Sequence, residues 1–512
     1  MRRSSALAVF AGALSLTVLA SGCTAGGSGD NTAAQESGKA ELVLGMEADL
    51  PGWDPAKLLP GSVAWAAQAV YDTILTCDEK GGISAGLAEK WEFSDNNTKL
   101  TLQIRDGVEF SDGTALDAAA VKATLDYEFT SPGGQSFFAG VTAEAPDENT
   151  VVITTPQPKP FLTSYLCLGT GVVASPTYLA SGDLDSEPVG SGPYTYDLEN
   201  STPGAEYVFT KNPDNWNADA YPYEKLVLKV LADTTARVNA LKTGQISGAV
   251  LPPSTLAELQ SAGTASIPQQ GTWSGLLIND RDGKIVPALG NADVRRAINM
   301  VFDKAAIAEK LYQGQAEPTS QIFRAGSDAW IDGLEDPYPY DLTAAKELME
   351  EAGYADGFDM ELPYIANFGL DSAMPVVIDG LKELNINVTQ VTLAGQTALL
   401  DLLSGKYPVI FWPLGNHGDS RITIDGAIVP TAIWNTSHVS DPTVDELWNT
   451  ILTTQGDESK AAQQELNQYV IDQAWFSPWV YVSTFFMFDD SKVGIDKSSD
   501  PNQLAPLLSD FK

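Results

Sequence analysis

Along residues 99–104 apolar and polar positions alternate: Leu100, Leu102 and Ile104 are each separated by a polar neighbour. That period of two is the mark of a strand with one face buried. The run closes on Asp112-Gly113, a turn pair. The period then changes. Val121, Leu125 and Phe129 recur at i, i+4 and i+8, which predicts a helix over residues 115–129 with Asp117 as its N-cap. Residues 41–49 and 149–155 read as further strands, the second stopped by Pro156, Pro158 and Pro160. Residues 225–233 form a strand pattern and 234–244 a short helix ending in glycine. Residues 291–314 carry one long amphipathic helical stretch, and 341–354 a helix capped by Asp341 and stopped by Gly353. A strand over 358–365, a helix over 373–384 and a strand over 386–393 make a β-α-β unit, so the later half holds a parallel α/β element. No internal repeat is present, and the chain reads as mixed α/β.

The first residues follow a different logic. Arg2 and Arg3 precede about fifteen apolar residues, 6–20, which is short of the roughly 20 that span a bilayer. Small residues then lead to Cys23. The pattern resembles a bacterial lipobox, with Ala20 where leucine is commonest and Leu19 one place earlier. Residues 1–22 are therefore expected to be a lipoprotein signal peptide and Cys23 the lipidation site. An ordinary secretory peptide with an incidental cysteine is the competing reading. Residues 23–38 are small, polar and aperiodic, a flexible tether. Two acyl chains on one cysteine would anchor stably.

The remaining chain, residues 23–512, is long enough for roughly three structural units at about 150 residues each. Loss of Arg2 and Arg3 with the leader takes the formal charge from −37 to −39, which opposes binding to nucleic acid or an anionic membrane. Apart from Cys23 the cysteines are Cys77 and Cys167, a pair that in an exported protein reads as one disulfide, with two buried thiols as the alternative. The only histidines, His417 and His438, have no neighbouring His or Cys, so no metal site is expected. No cofactor is expected either.

Two motifs mislead. Gly82, Ser84 and Gly86 fit G-x-S-x-G, which would make Ser84 the nucleophile of a secreted hydrolase. The elbow needs a preceding strand and a following helix, and a turn-like stretch precedes it here. Gly169, Gly171 and Ala174 fit the dinucleotide pattern, but Pro176 falls where its helix should begin.

Several segments in order resemble the extracellular solute-binding proteins of the peptide/nickel/opine class, family 5. Leu87, Ala88, Trp91, Ile104, Arg105, Gly107, Val108, Phe110, Asp112, Gly113 and Thr114 match its signature. "VGSGPYTY" resembles its Gly-x-Gly-Pro-Tyr. "KNPDNWN" resembles Asn-Pro-x-Tyr-Trp, with Asn215 in place of tyrosine. "RVNALKTGQIS", "NADVRRAINMVFDKAAI" and "VIDQAWFSPWVYV" resemble later blocks. The resemblance spans residue 42 to the C-terminus. It implies a two-lobe fold like that of periplasmic binding proteins, class II and cluster C type, with an extra subdomain in the first lobe. By chain order lobe I would be 38–71, 188–272 and 483–512, the subdomain 72–187 and lobe II 273–482. Both cysteines then fall in the subdomain, which favours their pairing. Arg105 and Asp112 would be scaffold residues.

The implied role is not enzymatic. A substrate-binding lipoprotein on the outer face of the bacterial cell membrane captures a small solute by hinge closure and hands it to an ABC permease as a monomer. In peptide-binding relatives a Trp-x-Ala-Asp-Tyr segment grips the ligand's α-ammonium. The corresponding stretch 406–421 places Trp412, Asn416, His417 and Asp419 as candidates, with Asp419 displaced by about two residues. Dipeptide-binding relatives carry an arginine for the ligand carboxylate where Asn367 and its neighbours stand. Trp412, Trp434 and Trp273 could stack on sugar or aromatic faces. Gly61, Ser62 and Trp65, in "LLPGSVAW", occupy the place of the lobe I loop that contacts extended ligands. Two ligand classes follow: an oligopeptide or peptide-like solute, and an oligosaccharide or other neutral solute, favoured by the aromatics and the missing charged clamps.

Overall fold

The computed structural model describes residues 40–512, excluding 59–60, 78–81, 186, 366–369, 396, 416 and 496–504. Cys23, Asn367 and Asn416 lie outside the described residues, as does the leader.

Local signals act where their chemistry is strong. Asp117 begins the helix Ala118–Thr130 by accepting from Ala120 N at 2.9 Å, and Asp341 caps Leu342–Glu351 in the same way. The stretch 291–314 behaves differently from its even periodicity. It forms two helices, Ala292–Met300 and Lys304–Lys310. Asp303 accepts from Ala306 N at 2.9 Å, and a capping carboxylate competes with helix continuation. The β-α-β unit forms as strands Asp359–Ile365 and Asn387–Leu393, paired in parallel, with the helix Met374–Lys382 between them.

Nine strands make the main sheet among the described residues. At its centre two long strands, Ala265–Ile278 and Phe476–Phe488, run antiparallel for most of their length. Leu42–Met46 pairs in parallel with Lys225–Val230 and Gly248–Leu251 on one side of this pair. Val409–Gly415 lies antiparallel to residues 272–278 of the other long strand. The register slips between Gln269 opposite Thr484 and Thr272 opposite Val482, a bulge that bends a ribbon locally.

The apolar side chains gather into separate cores on either side of that bend. One holds Leu42, Trp65, Phe209, Leu228, Ile267, Phe486 and Phe511. Another holds Trp273, Ile298, Phe323, Leu362, Phe411, Leu466 and Trp479. This is the two-lobe architecture. A third core, from Ile74 to Val173, belongs to a four-stranded antiparallel sheet covered by the helix Ala118–Thr130. It takes in Ile422, which comes from the second lobe. The hairpin strands Leu75–Cys77 and Ile83–Ala85 adjoin it, and Cys77 is bonded to Cys167 with their Cα atoms 5.5 Å apart. Ser84 lies exposed on that hairpin's second strand, with strand rather than helix following, so the elbow geometry is absent.

Candidate functional site

A cavity of about 620 Å³ opens where the first core, the subdomain and the second lobe meet. Its wall includes Asp72, two residues after the helix Ala64–Val70. The sequence motifs converge on this carboxylate. Gly190 and Gly192 lie against the backbone of Val70: a Cβ on either would come within 2.0 Å and 2.5 Å of Val70 main-chain atoms. That approach brings Ser191 Oγ to donate to Asp72 Oδ2 at 2.9 Å. Trp216 Nε1 and Asn215 Nδ2 donate to the same oxygen at 3.1 Å and 3.3 Å. Asn215, standing where family members carry tyrosine, is thus part of the support. Burial pushes the Asp72 carboxyl up to about 6, with the three donors opposing it. Arg105 stacks on Trp216 at 4.2 Å and donates to Glu89 and to the Gly86 carbonyl, holding the wall rather than lining it.

The disulfide and the turn Gly169–Gly171 form the next part of the wall. Glu128, on the helix Ala118–Thr130, faces the same space and is 5% exposed. Burial first, and the nearby Asp54 carboxylate second, raise its pKa to about 7.

His417 and Ile422 reach the cavity from the second lobe. His417 Nδ1 is buried without a hydrogen-bond partner among the described residues, and burial lowers the ring's pKa against a weaker pull from Asp419, so the imidazole is neutral at pH 7. Asp419 does not line the cavity. It caps the helix Ser420–Ala427, and Arg421 grips both its oxygens, Nε to Oδ1 and Nη2 to Oδ2, each at 2.8 Å. Ser164 Oγ from the subdomain adds a third donor at 2.7 Å. Arg421 leads the contributions that lower the Asp419 pKa, against a desolvation that raises it. Asp419, expected to receive a ligand ammonium, is held here by an internal cation, Arg421. Beside it, Lys159 and Tyr165 of the subdomain meet Asp425 at 3.4 Å and 3.1 Å, so polar contacts close this face.

The candidate tryptophans stand apart from this cavity. Trp273 is fully buried and meets Phe476 edge-on within the second core. Trp412 packs against Trp434 at 5.4 Å, and neither borders the cavity. Trp65 is buried, its Nε1 donating to the Pro506 carbonyl at 2.7 Å. Ser62 is buried and bonded to Glu47, and Gly61 begins the turn Gly61–Val63. The wall contributed by this segment comes instead from Ala64, Ala67 and Gln68. Sequence reading missed Glu128 and Arg421. Only Arg421 carried a signal, as a cation two residues after a helix-capping aspartate.

Among the described residues no group of three or more His, Cys, Asp or Glu is placed to hold a metal, and no helix is long and apolar enough to cross a membrane.

The model of bacterial extracellular solute-binding proteins, family 5 (middle), matches residues 82–421. The chain belongs to this family. Glutathione-binding protein GsiB of Escherichia coli is 27% identical over 337 residues, and the match spans 63% of this chain and 63% of the length of that curated relative. Among solved structures, DppA of Helicobacter pylori in complex with the peptide STSA superimposes with a TM-score of 0.76 at 21% identity, covering 93% of this chain and 98% of that one. NikA of Brucella suis in complex with Fe(III)-EDTA gives 0.77 at 22% identity, covering 92% and 99%. These likenesses establish the family 5 fold for the chain.

Proposed function

We propose that this family 5 protein is the solute-capturing component of an ABC importer, held outside the cell membrane by a lipid on Cys23, and that it closes its lobes over a small peptide-like solute for delivery to a permease. The observation that carries this reading is the cavity of about 620 Å³, walled by the first lobe and its subdomain and completed by His417 and Ile422 of the second. That volume lies within the range of small-molecule sites. A site built from both lobes gains contacts only on closure, so ligand shifts the population toward the closed form. We place the lobe boundaries at 272/273 and 482/483, beside the register slip, with 72–187 as the subdomain. Relatives and neighbours described as binding glutathione and the peptide STSA favour a peptide-like solute. An oligosaccharide loses its main support once Trp412, Trp434 and Trp273 are seen away from the cavity.

The test is native mass spectrometry with small-angle scattering on the purified protein, challenged with peptide, sugar and amine pools. A saturable one-to-one adduct accompanied by a smaller radius of gyration is expected. No adduct and no compaction with any pool would defeat the reading.

A further inference from the structure

Glu128 is an unusual carboxylate in this wall. It is 5% exposed, borders the cavity, and has neither a hydrogen bond nor an ion pair to its side chain among the described residues. The residue is little exposed overall, yet its carboxylate oxygens are open to the cavity, where they meet water or a ligand cation and no protein donor among the described residues. Its charged neighbour makes matters worse. Asp54 is itself an anion, satisfied by Ala56 N at 3.0 Å, Tyr127 OH at 2.9 Å and Lys57 at 3.1 Å. None of the described residues bordering the cavity is lysine or arginine. Asp72, across the same space, takes its three donors on Oδ2. His417 offers a neutral ring with an unpartnered nitrogen. The aromatic rings of Phe137 and Tyr165 also border the space and can face a cation.

From this we infer that the cavity takes a solute bearing a protonated amine, and that Glu128 receives the ammonium N–H groups. The inference rests on the solute-capture reading above. It adds that a free carboxylate on the ligand meets no lysine or arginine among the described residues of the wall, so an amide or a carboxylate-free amine binds better than the corresponding acid. The shared chemistry is the ammonium, whether borne by a peptide-like solute or an alkyl diamine.

Isothermal titration at pH 7.5 tests this with alanyl-alaninamide, alanyl-alanine, N-acetyl-alanyl-alaninamide and putrescine. At least one of the amide and the diamine is expected to bind, and the free dipeptide at least tenfold more weakly than the amide if the peptide amine is the source. The acetylated compound should not bind. Glu128→Gln should weaken the amine that binds at least tenfold while the variant melts no lower than the parent, which separates lost recognition from lost folding. Equal binding of the acetylated and free amides, or undiminished binding by Glu128→Gln, overturns the inference. So does failure of every amine probe while a neutral or acidic solute binds with compaction, an outcome that leaves solute capture standing. Failure of all solutes overturns both.

Discussion

Replacing Glu128 with glutamine should stabilise the ligand-free protein, and the gain should grow with pH. The carboxyl sits at about 7 in the folded state against an ordinary 4.5, raised by burial and then by Asp54. Between those values the folded protein holds a proton that the unfolded chain has released. The carboxyl's contribution is fully present below about pH 4.5 and is lost as pH rises through about 7, after which no further loss occurs. A shift of that size is worth about 3 kcal/mol. Water reaching the carboxylate from the cavity reduces the expected effect to about 2 kcal/mol. Denaturant unfolding of the parent and Glu128→Gln at pH 5 and pH 8.5 gives the readout. The difference between the two proteins should move in favour of the variant by about 2 kcal/mol from the lower to the higher pH. Using this double difference cancels the fixed cost of burying an amide, and Asp72, raised to about 6, titrates in both proteins alike. A difference that stays within about 0.5 kcal/mol across the two pH values would refute the reasoning, because the carboxylate would then already have a partner.

Asp419→Ala strips Arg421 of its bidentate acceptor, and a melting or denaturant series should register a loss of about 3 kcal/mol; unchanged stability with abolished solute binding would return Asp419 to the ligand. Cys77 and Cys167 are 90 residues apart in sequence, so serine at both should cost about 4.6 kcal/mol by loop-closure entropy, measured by denaturant unfolding against the oxidised parent. Trp412→Ala leaves a void against Trp434 and should cost about 3 kcal/mol by denaturant unfolding, while affinity for a bound amine, measured by titration, stays within twofold.

The helix Ala118–Thr130 was legible because a cap and a 3.6-residue period agreed at one place. The family motifs were legible in order, and their glycines proved to be sites of close backbone approach at Val70. Residues 291–314 misled because an amphipathic period continues through a turn that only the Asp303 cap reveals. The placement of Trp412 was not legible for another reason. Val409–Gly415 is buried on both faces over residues 409–412, so alternation carries no information about which side faces a cavity. Glu128 was one acid among 67 Asp and Glu residues, and nothing in its local sequence marks that its side chain lacks a partner among the described residues. That absence is a property of the assembled wall, made by elements drawn from residues 55 to 510.

The first core unites the chain's beginning and its end. Leu42 and Leu44 share it with Leu508 and Phe511, Trp65 Nε1 is bonded to the Pro506 carbonyl, and Leu508 N is bonded to Gln68 Oε1 at 2.9 Å. The helix between them, Ala64–Val70, also supplies the cavity wall. A substitution at Leu508 or Phe511 therefore acts on a stretch of cavity wall more than 400 positions away in sequence, through the core that the two segments share.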